Sequence, residues 1–200
     1  MIENKNLKSE NEKLRLDNIV LKDKIKETVI FDETLSYLEQ KDYNFEFARV
    51  ISKDEFESNT LIIDLGSKNG IDIGYPVVYK NGFLIGKITE VSDYNSSVSL
   101  ISKNNSNIAS TVLGMNENLG VISGDYDLSL KFDYVSIDSD ISIGDIIVTS
   151  GIEKHIPYGL VIGEISSIYY NDNDFFQDVY VEPYISEDYF EILSVIIPKK

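Results

Sequence analysis

The sequence predicts a mainly β protein: an N-terminal coiled-coil α-helix followed by two small antiparallel β-barrel-like units related by an internal repeat. Three observations carry this reading. A heptad runs through residues 4 to 28, the apolar pattern changes from a helical period to a period of two beyond residue 45, and one strand-and-turn pattern occurs twice.

The heptad comes first along the chain. With Leu7, Leu14, Leu21 and Thr28 at position d, position a falls on Asn4, Asn11, Asn18 and Ile25. Leu at d with Asn at a specifies a parallel dimer, because a buried Asn pairs best with its symmetry mate in an in-register, two-stranded arrangement. Glu3, Glu10 and Asp17 at position g face Lys8, Arg15 and Lys22 at the following e, so every g-to-e′ pair is opposite in sign. The predicted dimerisation residues are therefore Asn4, Leu7, Asn11, Leu14, Asn18, Leu21 and Ile25. A solvated single helix is the alternative, disfavoured because an isolated polar helix is marginal in water. Val29, Ile30, Leu35 and Leu38 continue the helical spacing, which assigns residues 1–43 to a stalk of about 60 Å.

Strand signals begin at Phe45 and Phe47 and continue through Leu61-Ile62-Ile63-Asp64-Leu65. Asn69-Gly70 and Asn81-Gly82, each between apolar runs, predict tight type I′ hairpin turns. Ile71-Asp72-Ile73-Gly74, Val77-Val78 and Gly82 to Gly86 return as Ile141-Ser142-Ile143-Gly144, Ile147-Val148 and Gly159 to Gly163. The offset is 70 at Gly74 and Gly144 and 77 at Gly82 and Gly159, so the second copy carries an insertion between matched strands. Turns are predicted at Gly74, Gly82, Gly144, Asp145, Gly151, Pro157 and Gly159, and barrel corners at Gly86 and Gly163, each set inside an apolar strand pattern. The first β unit is assigned to 45–97 and the second to 98–198. The sequence leaves open whether the last strands, 179–182 and 192–197, complete the second unit or return to the first.

Composition narrows the function. With 200 residues, 42% hydrophobic and 26% charged, the chain can bury one or two modest cores. A net charge of −16 argues against nucleic acid and anionic lipid as partners, since both require clustered Lys and Arg. Residues 1–28 hold 7 basic and 6 acidic side chains and the remainder 11 and 28, which marks a boundary after the helix. No Cys is present, and no run reaches the roughly 20 apolar residues of a membrane span.

No catalytic, cofactor or metal set is predicted. Ser150 and the single histidine, His155, lie too close in sequence for a chymotrypsin-like triad, and Lys154 lies in a polar loop that would not lower its pKa. Ser150 reads as a turn residue and His155 as a loop side chain without a task. Asp138-Ser139-Asp140 and Asp172-Asn173-Asp174 lack the Gly and Glu that a calcium loop needs. Binding is left, and the aromatic-rich C-terminal region offers the candidate partner surface: Tyr169, Tyr170, Phe175 and Phe176, with Tyr180, Tyr184, Tyr189 and Phe190 nearby.

Asp64-Leu65-Gly66, Asn69-Gly70-Ile71, Gly74, Val77-Val78, Gly82 and Gly86 lead to Gly144-Asp145-Ile146-Ile147-Val148-Thr149-Ser150-Gly151, Pro157-Tyr158-Gly159-Leu160 and Gly163. In this order, over essentially the whole chain, the sequence resembles the bacterial rod shape-determining MreC family. The resemblance implies a non-catalytic scaffold of the cell-elongation complex on the extracytoplasmic face of the membrane, anchored by an N-terminal span that this chain lacks. It further implies MreD, the elongation-specific penicillin-binding transpeptidase, RodA and MreB as partners. A second reading, a periplasmic adaptor of a transport or secretion assembly, would need two antiparallel helical arms where the sequence shows one.

Overall fold

A computed structural model describes residues 2–54, 59–115, 119–125, 129–169, 175–185 and 190–199, with the backbone alone at 2–9, 23, 26 and 27. Helix α1 (Ile2–Gln40) contains neither Gly nor Pro and runs unbroken. Asp42, at φ 55°, reverses the chain, and the Tyr43 N–H donates to the Leu38 carbonyl at 3.1 Å. The strands follow: β1 (Asn44–Lys53), β2 (Thr60–Ile63), β3 (Pro76–Tyr79), β4 (Phe83–Val91), β5 (Ser96–Leu100), β6 (Asn107–Val112), β7 (Leu119–Asp125), β8 (Ser129–Asp133), β9 (Ile146–Thr149), β10 (Val161–Tyr169), β11 (Asp178–Pro183) and β12 (Ile192–Ile197).

Their pairing makes two closed antiparallel barrels of six strands. The first runs β4-β3-β12-β1-β2-β5 and closes through β5 and β4; the second runs β11-β8-β7-β6-β9-β10 and closes through β10 and β11. Closure leaves neither barrel an open edge. One parallel bridge, Val161 opposite Phe83, joins them, supported by the Val161 N–H donating to the Gly82 carbonyl at 3.1 Å.

The last strand lies between β1 and β3, so the first barrel is completed only after the whole second barrel has been laid down. The boundary drawn between residues 97 and 98 falls inside β5, whose hydrogen bonds run to β2 and β4. Turn signals mark where a strand ends, not which strand it will pair with.

Alternation on the strands builds two cores. Ala48, Leu61, Ile63, Val77, Tyr79, Ile85, Ile88, Val98, Leu193 and Val195 fill the first barrel. Val78, Leu84 and Ile196, on the opposite faces of β3, β4 and β12, point outward and join Leu38 of α1 and the Ile108, Phe132, Leu160 and Ile162 core of the second barrel. That is why β3 is buried at all four positions.

Two expected hairpin turns take other forms. Asn69 ends a 3₁₀ turn at Ser67–Asn69, its side-chain oxygen accepting the Gly66 N–H at 3.2 Å, and Gly70 closes the turn at φ 78°. Between Tyr79 and Phe83 the connection has three residues, with positive φ at Lys80 and Gly82 instead of Asn81 and Gly82. At the second connection the Gly82 N–H donates to the Lys80 carbonyl at 2.8 Å, a three-residue turn in place of the four-residue type I′ form.

The other predicted turn residues are placed as follows. Gly74, Gly82, Gly144, Gly151 and Gly159 lie at φ between 74° and 92°, the Asp145 carboxylate accepts the Ser142 N–H at 2.7 Å, and the Pro157 carbonyl accepts the Thr149 hydroxyl at 2.6 Å. The N–H of Gly74 donates to Ile88 and that of Gly144 to Ile165, both at 2.8 Å. Gly86 and Gly163 sit where two strands cross so closely that a Cβ would overlap the carbonyl of Ser99 and of Glu182 respectively. Substituting Gly86 by Ala is therefore expected to destabilise the protein by about 3 kcal/mol, because the obstacle is backbone and cannot rotate away. Ile51→Ala, on an exposed position of β1, is expected to change stability by less than about 0.5 kcal/mol, and denaturant unfolding compares the two.

Candidate functional site

Two surfaces and one junction collect the residues that the sequence singled out. On α1 the predicted seam is solvent-exposed: Leu14, Leu21 and Ile25 are each more than half exposed. Asn11 is exposed as well, and the Asn18 side-chain amide donates to the Leu14 carbonyl at 3.0 Å. The side chains of Asn4 and Leu7 lie outside the described residues. Among the described side chains of the helix, those packed against the barrel cores begin at Ile30, and those from 10 to 29 are exposed, about 30 Å of helix.

A second apolar row accompanies the seam, and sequence reading missed it. Leu16, Ile19 and Val20 are exposed and fall at heptad positions f, b and c. Each lies 18 residues, five helical turns, before Thr34, Tyr37 and Leu38, which are among the helix residues buried or half-buried at the barrels. The signal was present in the spacing, hidden by the stronger heptad.

The junction is where α1 meets both barrels. Leu38 is fully buried, Thr34 is nearly so with its hydroxyl donating to the Ile30 carbonyl at 2.7 Å, and Phe31 stacks on Phe47 with ring centroids 4.2 Å apart. Tyr37 lies directly against Gly82, filling the space a side chain there would need. Its hydroxyl is buried without a hydrogen-bond partner, and burial pushes the phenol up to about 12, with the Tyr43 phenol adding to the shift.

Charged and polar groups span the barrels at the same place. Lys87 on β4 donates to the Asn107 carbonyl at 2.8 Å and lies 3.5 Å from the Glu153 carboxylate, whose other oxygen accepts the Ala109 N–H at 2.8 Å. The His155 ring contacts the Ile73 carbonyl through Nδ1 at 3.2 Å and packs edge-on against Tyr75. His155 thus bridges the two barrels, a task the sequence did not assign it, because its partner lies 82 residues away. The Ser150 hydroxyl is buried with no hydrogen bond to His155 or Lys154, so the residues that could have formed a catalytic pair are not coupled.

The aromatic surface lies on the second barrel. Phe175 is 85% exposed, and Phe176, also exposed, meets exposed Tyr134 edge-on at 5.9 Å. Tyr169, exposed, makes a similar contact with Tyr180 at 6.0 Å. Tyr184 packs near Phe83 and donates to the Glu164 carboxylate at 3.1 Å, which places it at the contact between barrels. Phe190 is buried in the first barrel against Tyr79 and is not part of the surface. Tyr170, Tyr189 and Asp172-Asn173-Asp174 lie outside the described residues. Among the described residues no cluster of three metal-ligating side chains occurs, and no helix is long and apolar enough to cross a membrane.

Comparison with known proteins gives a consistent result. A family model for "Rod shape-determining protein MreC, barrel core" matches residues 50–197. The cell shape-determining protein MreC of Listeria monocytogenes is 28% identical over 205 residues, covering 99% of this chain and 68% of that protein. The Escherichia coli MreC is 29% identical over 111 residues, 56% of this chain and 30% of that protein, so the chain spans only part of these relatives. Among solved structures, the Listeria MreC superposes with a TM-score of 0.70 at 26% identity over 98% of this chain and 95% of that one. A complex between penicillin-binding protein PBP2 and MreC from Helicobacter pylori gives 0.63 at 17% identity, covering 78% of this chain and all of the matched chain.

Tyr37 supplies a test of the junction. Tyr37→Phe removes a buried hydroxyl that bonds nothing, so stability at pH 7 is expected to stay within about 1 kcal/mol of the parent or to rise. The folded protein holds the phenolic proton up to about pH 12 while the unfolded chain releases it near 10. The Tyr37 contribution is thus constant below pH 10 and lost as pH climbs from 10 to 12, and this loss should vanish in the Phe variant when unfolding is followed from pH 8 to 12.

Proposed function

This chain belongs to the rod shape-determining protein MreC family, and on that premise we propose that it is a non-catalytic extracytoplasmic scaffold of the bacterial cell-elongation machinery, dimerising through α1 and presenting its barrels to peptidoglycan synthases. The observation that carries the reading is the bare seam of Leu14, Leu21 and Ile25, flanked at the g and e positions by charges of opposite sign. Paired in parallel, two such helices bury the seam, bring both N-termini to one end and hold four barrels at the other. The anchor in the membrane, absent from the described helices, would precede that end.

The partner side of the proposal rests on the Helicobacter pylori relative, which was solved bound to PBP2. Carried to this chain, the partner is the elongation-specific penicillin-binding transpeptidase, with MreD, RodA and MreB as further members of the same assembly. Phe175, Phe176 and Tyr169 are the residues proposed to meet it, large aromatic groups that bury much area for few rotatable bonds. Two copies on one dimer would raise the local concentration of clustered synthases. The two barrels are read as copies of one ancestral unit, supported by the matched Gly74 and Gly144 hydrogen bonds and by the matched crossings at Gly86 and Gly163. An adaptor of a transport assembly is less well supported, since one α-helix is present among the described residues where that architecture needs two arms.

Leu14→Asp is expected to convert the dimer to a monomer by light scattering while the sheet signal in circular dichroism stays unchanged; a dimer mass that persists would remove the coiled coil from the proposal. Phe175→Ser with Phe176→Ser is expected to weaken calorimetric binding to the ectodomain of the organism's own elongation transpeptidase by at least about tenfold. Binding unaffected by both changes would keep the scaffold and move its contact elsewhere.

A further inference from the structure

Where the turn after α1, the end of β12 and the loop at 151–157 come together, the fold forms an open cavity of about 440 Å³. It opens at the seam between the barrels, with walls of Tyr43, Ile156, Pro157 and Pro198. Its polar lining is basic: Lys41, Lys154 and Lys199 arrive from three separate segments, with His155 beside them. Two carboxylates share this lining, and both are engaged. Asp42 is paired with Lys199, while Glu153 is held by Lys87 and the Ala109 N–H. Lys199 is in turn neutralised by Asp42, so three lysines against two carboxylates leave the lining a net charge of +1, set by Lys41 and Lys154, on a chain whose residues beyond the helix carry a large negative excess.

A basic cavity on an acidic surface concentrates anions, because the surrounding charge repels them everywhere else and the low-dielectric walls focus the field. The lining also selects among anions. Lys ammoniums act as point charges that take carboxylate and phosphate alike. The Tyr, Ile and Pro side chains beside them are what favour an anion carried on a short organic backbone over a bare inorganic one. The volume falls in the range of small-ligand sites and fits about three residues of peptide.

We propose that this cavity is a binding site for a short peptide through a free carboxylate, either its C-terminus or an acidic side chain. The inference stands on the cavity alone and does not require the scaffold reading. A ligand seated there would touch the turn after α1, the first barrel and the second barrel together, and His155 would report it, since it is the chain's single histidine and so gives one unambiguous set of ring proton resonances.

The test is a titration of the intact chain followed through those resonances. Three probes are used: N-acetyl-trialanine as the free acid, N-acetyl-Ala-Glu-Ala amide, and N-acetyl-trialanine amide. A saturable shift of the His155 signals with the first or the second probe, and none with the third, is the expected result, and the first two between them distinguish a terminal from a side-chain carboxylate. Lys41→Gln combined with Lys154→Gln, both exposed and outside the packed core, should weaken that binding by at least about tenfold, whereas Lys13→Gln on the free part of the helix should not. Equal shifts with the uncharged peptide, binding that survives the double substitution, or a response to inorganic phosphate but to neither acid would each overturn the assignment.

Discussion

Everything in this molecule hangs on the burial of one barrel's outer surface. Small six-stranded barrels fill their interior with alternate side chains and normally leave the others to solvent. Here Val78, Leu84 and Ile196 carry apolar groups outward as well, and these are covered by Leu38 and by the second barrel's core. The helix, the first barrel and the second barrel therefore share one layer of contact. Removing any of the three would expose the other two. Tyr37, pressed into the space left by Gly82, fixes the helix at the point where the barrels meet.

What the sequence revealed of this arrangement followed local periodicity. The helix was legible because its apolar residues recur at helical spacing, and the barrels were legible because Gly74, Gly86 and their counterparts punctuate strands at repeated positions. The return of β12 to the first barrel was not legible, since pairing between 44–49 and 192–197 is set by the closure of the barrel and leaves no mark in either strand. His155 was misjudged for the same reason: its carbonyl partner is distant in sequence. The aromatic cluster divided once folded, with Phe190 inside and Phe175 outside, because turn-rich sequence has no period from which to assign a face.

Helix α1 carries two exposed apolar rows on different faces. Leu14, Leu21 and Ile25 follow the heptad, whereas Leu16, Ile19 and Val20 continue, five turns earlier, the row that docks on the barrels. In the proposed dimer, Asn4, Asn11 and Asn18 would weaken the first row in exchange for register. The charge boundary after residue 28 coincides with the change from free helix to docked helix, so a neutral stalk gives way to an acidic body at the point where packing begins.

The insertion of one barrel within the other has a mechanical consequence. The second barrel is tied to the first by two chain crossings, from β5 to β6 and from β11 to β12, and by the contact around Leu38. Tension applied along the helix enters at β1, which is flanked by β12 on one side and β2 on the other and so has no free edge from which to peel. A pull between the helix and a load on the second barrel is divided over two covalent tethers and a packed joint acting in parallel. Resistance to stretching is thereby written into the order of the strands, since a load can pass through the body without first unravelling an edge.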